Sequence, residues 1–416
     1  MRALVRAALA PERRTLTLVC VLLLLCAFIA FGTGFWVLFR VTYLFALAIP
    51  VCWAIAWYNT RHIQVSVDRR TDRAQVGQEA QEVIEVRNPY FLPKLWLDVE
   101  DPSDMPGHKS RRIVIVPGSR SRNWLVDTKL LRRGLFDWGP VRVTGSDPFG
   151  LFSRTREFGG KQQLLIYPQV VDLPHFQAPP ANLPGEGRFR RRTHYVTPNA
   201  SGIREYAPGD AFNRIHWRST ARTGEIMVKT FELDPASDIW VILDLERRVH
   251  VGEGDESTEE YAVRIAASIC RHFLVQNRSV GLISFGRDLR IIEPERGGNQ
   301  MTRLLETLAV VKAIGDAPLG NLLQEEQRRF GRHTTLIVVT AATDDHWLTA
   351  IQSMHQRGVR TAVVLVDPSS FGGKESPLLL FGELTASDIL TYVVRNGDEL
   401  SVALSPTTGG VASWQA

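Results

Sequence analysis

Cysteine is scarce. The 416 residues contain four. Cys20, Cys26 and Cys52 fall in apolar stretches, and Cys270 is the one outside them. None stands in a Cys-x-x-Cys spacing, so no disulfide framework is available, and the usage fits a reducing compartment. A strong charge of either sign is missing too: 49 Lys and Arg oppose 44 Asp and Glu, a net charge of +5. Spread over this length, such a surplus does not argue for nucleic acid, and much of it flanks the apolar segments. The short catalytic signatures are absent: there is no Gly-x-Ser-x-Gly elbow, P-loop, His-Glu-x-x-His or dinucleotide fingerprint. Ser284 precedes Phe285-Gly286 with no base in its sequence context. What remains is an ordinary folded composition, 44% hydrophobic and 22% charged, long enough for two or three domains.

Long charge-free runs stand out at the start. No charged residue occurs from Leu16 to Phe39, and the chain is apolar again from Val41 to Tyr58. About 20 apolar residues cross a hydrocarbon core as a helix, so residues 1–60 read as a transmembrane hairpin with spans at about 16–31 and 37–57. Gly32-Thr33-Gly34 makes the turn. Arg40 is placed to snorkel, Pro50 kinks the second span without forbidding it, and Trp53, Trp57 and Tyr58 suit an interfacial belt. A cleaved secretory signal is the competing reading, but its apolar core is shorter and ends in small residues. Arg2, Arg6, Arg13 and Arg14 precede the hairpin and Arg61, Arg69, Arg70 and Arg73 follow it. The positive-inside rule then predicts a multi-pass protein of the cell membrane whose soluble part faces the cytoplasm.

Residues 61–167 alternate in short bursts. Val83–Val86, Leu95–Val99, Ile113–Val116, Trp124–Val126 and Val141–Val143 read as strands separated by Asn88-Pro89, Pro117-Gly118 and Gly139-Pro140, which predicts a small β-sandwich. The stretches Arg133–Pro140 and Asp147–Phe152 read as turn formers with aromatic plugs. Residues 168–237 form a linker followed by a charged-aromatic segment. The linker carries a basic patch, Arg188–Tyr195, which is either a solvated loop or a site for anionic headgroups. Beyond it Arg204, Glu205, Tyr206, Asp210, Arg214, Trp217, Arg222, Lys229 and Glu232 interleave opposite charges with large rings. Arginine forks pair with carboxylates and stack on rings, so the segment either docks a partner or locks two domains together. His216, with Asp210 and Glu205 nearby, is the one His–carboxylate candidate for acid–base work, against the plainer reading of a packed histidine. Residues 238–416 then alternate apolar strands with amphipathic helices, the mark of a parallel sheet covered on both faces. The fold class expected is α+β multidomain.

Several motifs, in order, resemble those of the domain of unknown function 58 family: Arg133-Gly134 to Gly139-Pro140, Asp147-Pro148-Phe149-Gly150-Leu151, Ile166-Tyr167-Pro168 and the segment from Ser201 to Leu243. The resemblance implies that the C-terminal domain is von Willebrand factor A-like, a Rossmann-like α/β fold. Such domains often hold a divalent cation through Asp-x-Ser-x-Ser after the first strand, completed by a Thr and an Asp from later loops. Here the corresponding run is Asp244-Leu245-Glu246-Arg247-Arg248, with Thr302 for the Thr and Thr340 where the later Asp is expected, Asp344 and Asp345 following. The ligand set Asp244, Glu246, Thr302 is degenerate, so no cofactor is expected, Mg²⁺ being the one ion to test; Arg248 stands in for a cation. The resemblance also implies a protein partner, a MoxR-type AAA+ ATPase, and hence an interaction protein rather than an enzyme. The alternative is a divalent-cation-dependent ligand-binding module.

Overall fold

The computed structural model describes residues 14–71, 73–179, 200–206, 215–231, 238–331 and 334–405. The chain divides into two compact units, one of Met1–Gln169 with Leu305–Val310 and one of Val170–Leu304 with Val311–Ala416. The first opens with two apolar helices, α1 (Arg14–Thr33) and α2 (Trp36–Thr60). Both are long and apolar enough to cross a membrane. They pack on each other, Phe31 meeting Phe39 edge-on at 5.3 Å. Gly34, at φ 66°, makes the turn, a backbone conformation costly for residues with a Cβ.

Ten strands follow: β1 (Gln64–Arg69), β2 (Arg73–Gln75), β3 (Glu79–Arg87), β4 (Lys94–Glu100), β5 (Arg112–Val116), β6 (Ser121–Lys129), β7 (Gly134–Trp138), β8 (Val141–Ser146), β9 (Ser153–Phe158) and β10 (Gln162–Tyr167). They make three small sheets, ordered β1-β3-β6, β5-β4-β8-β9 and β2-β10-β7. The first two share one core, in which Ile84 and Val86 of β3 and Trp124 and Val126 of β6 meet Leu97, Val99, Val141 and Val143. Alternating burial in β3 and β6 produces this, because successive side chains of a strand point to opposite faces; Val83 and Leu125 take the outer face. One expectation needs correction, and one strand was not foreseen. Arg133–Pro140 is not merely a turn, since β7 occupies most of it. β9, Ser153–Phe158, carries almost no apolar signal and is exposed from Ser153 to Glu157. Pairing with β8 holds it in the sheet, and Phe158 packs against the core.

The end of α2 is embedded in this unit. Asn59 and Thr60 are buried. Asn59 Nδ2 donates to Ser146 O at 3.1 Å, and its Oδ1 accepts from Leu95 N at 3.2 Å. Lys94 is fully buried and donates from Nζ to the carbonyls of Tyr58 and Arg61, while Arg156 Nη1 donates to Thr60 O at 3.1 Å. Two cations thus meet the carbonyls that a helix leaves free at its negative end. The same burial pushes the Lys94 ammonium down to about 8.

The second unit carries β11 (Ala200–Glu205), α3 (Trp217–Thr223), β12 (Met227–Phe231), β13 (Asp238–Asp244), the two-residue strands β14 (Gly252–Glu253) and β15 (Glu256–Ser257), α4 (Thr258–Val275), β16 (Val280–Phe285), β17 (Leu289–Glu295), α5 (Gly298–Val310, whose last turns belong to the other unit), α6 (Leu319–Glu326), β18 (Thr334–Thr340), α7 (Leu348–Gln356), β19 (Arg360–Val366), α8 (Leu378–Ala386), β20 (Leu390–Val394) and α9 (Leu400–Ala403). Its main sheet runs β17-β16-β13-β18-β19-β20. β17 is antiparallel to β16 and the remaining pairings are parallel. On one face Trp240, Ile242, Leu336 and Val338 pack against Leu322, Leu323, Ile351 and Leu384 of α6, α7 and α8; α4, with twelve buried residues, covers the other. A sheet covered on both sides favours strands that are largely apolar, and β18 is buried throughout.

Candidate functional site

Two places in the second unit gather the residues singled out from the sequence. The first is the charged-aromatic segment. β11 and β12 pair antiparallel, placing Arg204 opposite Val228 and Lys229 opposite Ile203, with α3 between them. Asp210, Arg214 and Glu232 lie outside the described residues, as does the basic patch Arg188–Tyr195. α3 is short but well capped. The His216 ring Nδ1 accepts from Ser219 N at 3.2 Å and lies 2.8 Å from Ser219 Oγ, while His216 N donates to Met227 O at 2.8 Å. Gly224, at φ 79°, closes the C-terminus. Ile215 and Val228 are buried beneath it. His216 is therefore a helix cap, and its ring nitrogen is committed to the backbone. Trp217 is 70% exposed; Arg218 and Arg222 beside it are exposed as well. Glu205 is exposed and Tyr206 half-buried, Tyr206 N donating to Ile226 O at 2.8 Å.

The second place is the carboxyl end of the main sheet, where a doubly wound fold forms its crevice. Asp244 ends β13 and is buried. Its Oδ2 accepts from Thr340 Oγ1, at the end of the neighbouring β18, at 2.6 Å, and its Oδ1 accepts from Glu246 N at 3.0 Å. His250 Nε2 lies 3.0 Å from the Asp244 carbonyl oxygen; the partner is an acceptor, so Nε2 carries the hydrogen. Nδ1 faces Thr258 Oγ1 at 3.1 Å. Burial holds the Asp244 carboxyl above the usual range, with the charge of His250 and the Thr340 hydroxyl pulling it back. Glu246 is raised too, first by burial and then by Asp244, Asp344 and Asp316, against Arg248.

Tested against a hard divalent cation, this set does not fit. Both Asp244 oxygens already accept from protein donors, Thr340 supplies a hydroxyl where a third acid is wanted, and Arg248 adds positive charge beside Glu246. Among the described residues no three His, Cys, Asp or Glu converge on a metal position. Thr302 is far from the others. It lies in α5, donating to Gly298 O, and α5 starts beside the opposite end of the sheet, where Gln300 Nε2 donates to Val280 O at 2.7 Å. Antiparallel β17 causes this, because it carries the chain back from Phe285 to Val280 before the helix begins.

The loop that does return to the carboxyl end is residues 311–318. Gly315 pairs with Glu246, accepting from Arg247 N at 2.8 Å and donating to Leu245 O at 3.1 Å. A β carbon there would stand 2.8 Å from Phe285 O, so glycine alone permits the approach. It brings Asp316 within electrostatic reach of Glu246. Asp316 and His250 are the residues that sequence reasoning missed. Gly315-Asp316 was legible as a turn, but nothing in the sequence indicated where that turn lands.

Two apolar helices leading into a β-rich unit, followed by a doubly wound α/β unit with a capped charged-aromatic segment at its entrance, define the class to which this chain belongs. Residues 202–379 match the family described as protein of unknown function DUF58. The match starts at β11, so the β-rich motifs lie outside it. The chain is 22% identical over 379 residues to the uncharacterized protein YeaD of Bacillus subtilis, covering 88% of this chain and 91% of that one. It is 25% identical over 201 residues to the uncharacterized protein Rv1480 of Mycobacterium tuberculosis, covering 46% of this chain and 61% of that one. Among solved structures, proximal thread matrix protein 1 from the mussel byssus overlaps 40% of this chain and 46% of its own at 12% identity, with a TM-score of 0.31.

Proposed function

We propose that this is a membrane-anchored interaction protein: the helical hairpin spans the cell membrane, both units face the cytoplasm, and the von Willebrand factor A-like second unit binds a protein partner, a MoxR-type AAA+ ATPase, in assembly or maturation at the membrane. The observation that carries the reading is the surface of α3. Its backbone is fixed by His216 and Gly224, yet Trp217 is 70% exposed, with the exposed arginines 218 and 222 beside it. Trp and Arg are the residue types that concentrate binding energy at interfaces, and a preorganised helix loses little entropy when it docks. Binding rather than catalysis also accords with His216, whose ring serves as a cap. At the sheet end, Arg248 beside the acids gives a fixed charge where related modules use a metal.

The test is capture of the ATPase by full-length protein in detergent, comparing wild type with Trp217→Ala and Arg222→Ala. Exposed positions of this kind change stability by about 0.5 kcal/mol or less, so both variants should melt like wild type and lose most of the captured partner. Unchanged capture with both variants would refute the docking role.

A further inference from the structure

The first unit holds a surface that the reading above does not use. Between Asn88 and Trp96 the side chains of Tyr90, Phe91, Leu92 and Trp96 are exposed, Phe91 to 79%. The loop is built, not slack. Asn88 Nδ2 donates to Leu92 O at 2.8 Å, Tyr90 N to Asn88 Oδ1 at 3.1 Å and Ser119 N to Tyr90 O at 2.7 Å. A second loop, Asp147–Phe152, is organised in the same manner. The Asp147 carboxylate accepts from Phe149 N at 2.9 Å and from Phe152 N at 2.7 Å, which leaves Phe149 73% exposed. Large apolar side chains held outward on ordered backbone mark a surface that something covers.

The position of the two loops says what covers them. Tyr58 OH, in the last turn of α2, donates to Leu92 O at 3.0 Å. Thr15 Oγ1, in the first turn of α1, donates to Gly150 O at 3.3 Å. The two helices form a hairpin, so the start of α1 and the end of α2 lie at one level, and both loops stand there. The charges agree. Arg61, stacked over the Trp57 ring at 4.2 Å, is exposed, as are Arg120 next to the first loop and Arg154 on β9. Residues 88–96 contain no acid.

We propose that the loops 88–96 and 147–152 form a second membrane contact, with Phe91, Leu92 and Phe149 seated in the headgroup layer of the bilayer that α1 and α2 cross. Aromatic rings, apolar side chains and arginine stems share that layer because each presents an apolar body and a polar or charged end. Two loops joined to the helix ends by hydrogen bonds add to the embedded end of α2 and fix the tilt of the first unit on the membrane. The proposal rests on the anchor reading, and its test separates the two.

A nitroxide amino acid is incorporated singly at positions 24, 91, 149 and 135 of the full chain in lipid nanodiscs. Collision with oxygen is then compared with collision with a water-soluble nickel chelate. Position 24 lies in mid-α1, and position 135 is an exposed control on β7. Oxygen preference at 24, 91 and 149, several-fold above that at 135, is the expected result. Values at 91 and 149 equal to that at 135, with 24 in hydrocarbon, overturn the proposal and leave the anchor standing. Water exposure at 24 overturns the anchor and the proposal with it. The unlabelled chain provides the second measurement, in vesicles containing a phospholipid with a photoreactive diazirine near its headgroup. Adducts are expected on peptides covering 90–96 and 147–152; adducts confined to α1 and α2 would also overturn the proposal.

Discussion

Replacing Glu82 by glutamine should make the first unit more stable at neutral pH and remove most of its pH dependence. Glu82 on β3 and Asp101, just beyond β4, are both fully buried. Arg69 reaches Asp101 Oδ2 from Nη2 at 2.7 Å and stands only loosely by Glu82, Nε to Oε2 at 3.9 Å. One cation therefore faces two acids. Both Glu82 oxygens and Asp101 Oδ1 have no donor from the protein, which is the arrangement of two carboxyl groups sharing a proton. Burial, then the adjacent Asp101, pushes Glu82 up to about 9 from an ordinary 4.5. Between those two values the unfolded chain has released the proton and the folded chain retains it. Stability from this group is complete below 4.5 and falls as pH rises toward 9. At pH 7 the loss is roughly 3 kcal/mol, at about 1.4 kcal/mol per pH unit. Glutamine keeps the shape and supplies an N–H toward Asp101 without a proton to lose. Thermal unfolding of the full chain in detergent, followed by tryptophan fluorescence from pH 4.5 to 9, should show wild type sagging with pH. The Glu82→Gln profile should be nearly flat and its midpoint higher by on the order of 10 °C at pH 7. Parallel profiles would mean that the pair holds no proton.

Two further expectations complete the set. Gly145→Ala places a β carbon 2.8 Å from Thr60 Cγ2 and 2.9 Å from Asn59 Cβ, so it should cost about 1–3 kcal/mol in the melting of the first unit; a neutral outcome would mean that the embedded end of α2 is looser than described. Calorimetric titration of Mg²⁺ into the full-length protein should give no saturable heat, since both Asp244 oxygens already accept from protein donors. Saturable binding abolished by Asp244→Ala would restore the cation-dependent alternative.

Periodicity carried the fold far. The apolar runs anticipated α1 and α2 to within a few residues, and the parallel strands of the main sheet were marked by largely apolar stretches. These signals are strong because burial on all sides demands them of each residue in turn. Strands without that demand escaped: β9 is largely exposed, and β2 is three residues long. α8, Leu378–Ala386, escaped too, since its Leu-Leu-Leu-Phe start has no helical stripe.

At the candidate sites the balance differs. Residue order alone determined that Asp244 ends a buried strand and that the segment 204–232 concentrates arginines and aromatic rings. Only the tertiary structure decided which groups meet: Thr340 comes to Asp244 because β13 and β18 are neighbours, Thr302 is carried away by the reversal of β17, and His216 turns its ring onto the backbone of α3. Local pattern is set by what each side chain must do with water, which a sequence displays. Pairings across the fold depend on strand order and on where loops land, and one chain read alone shows neither.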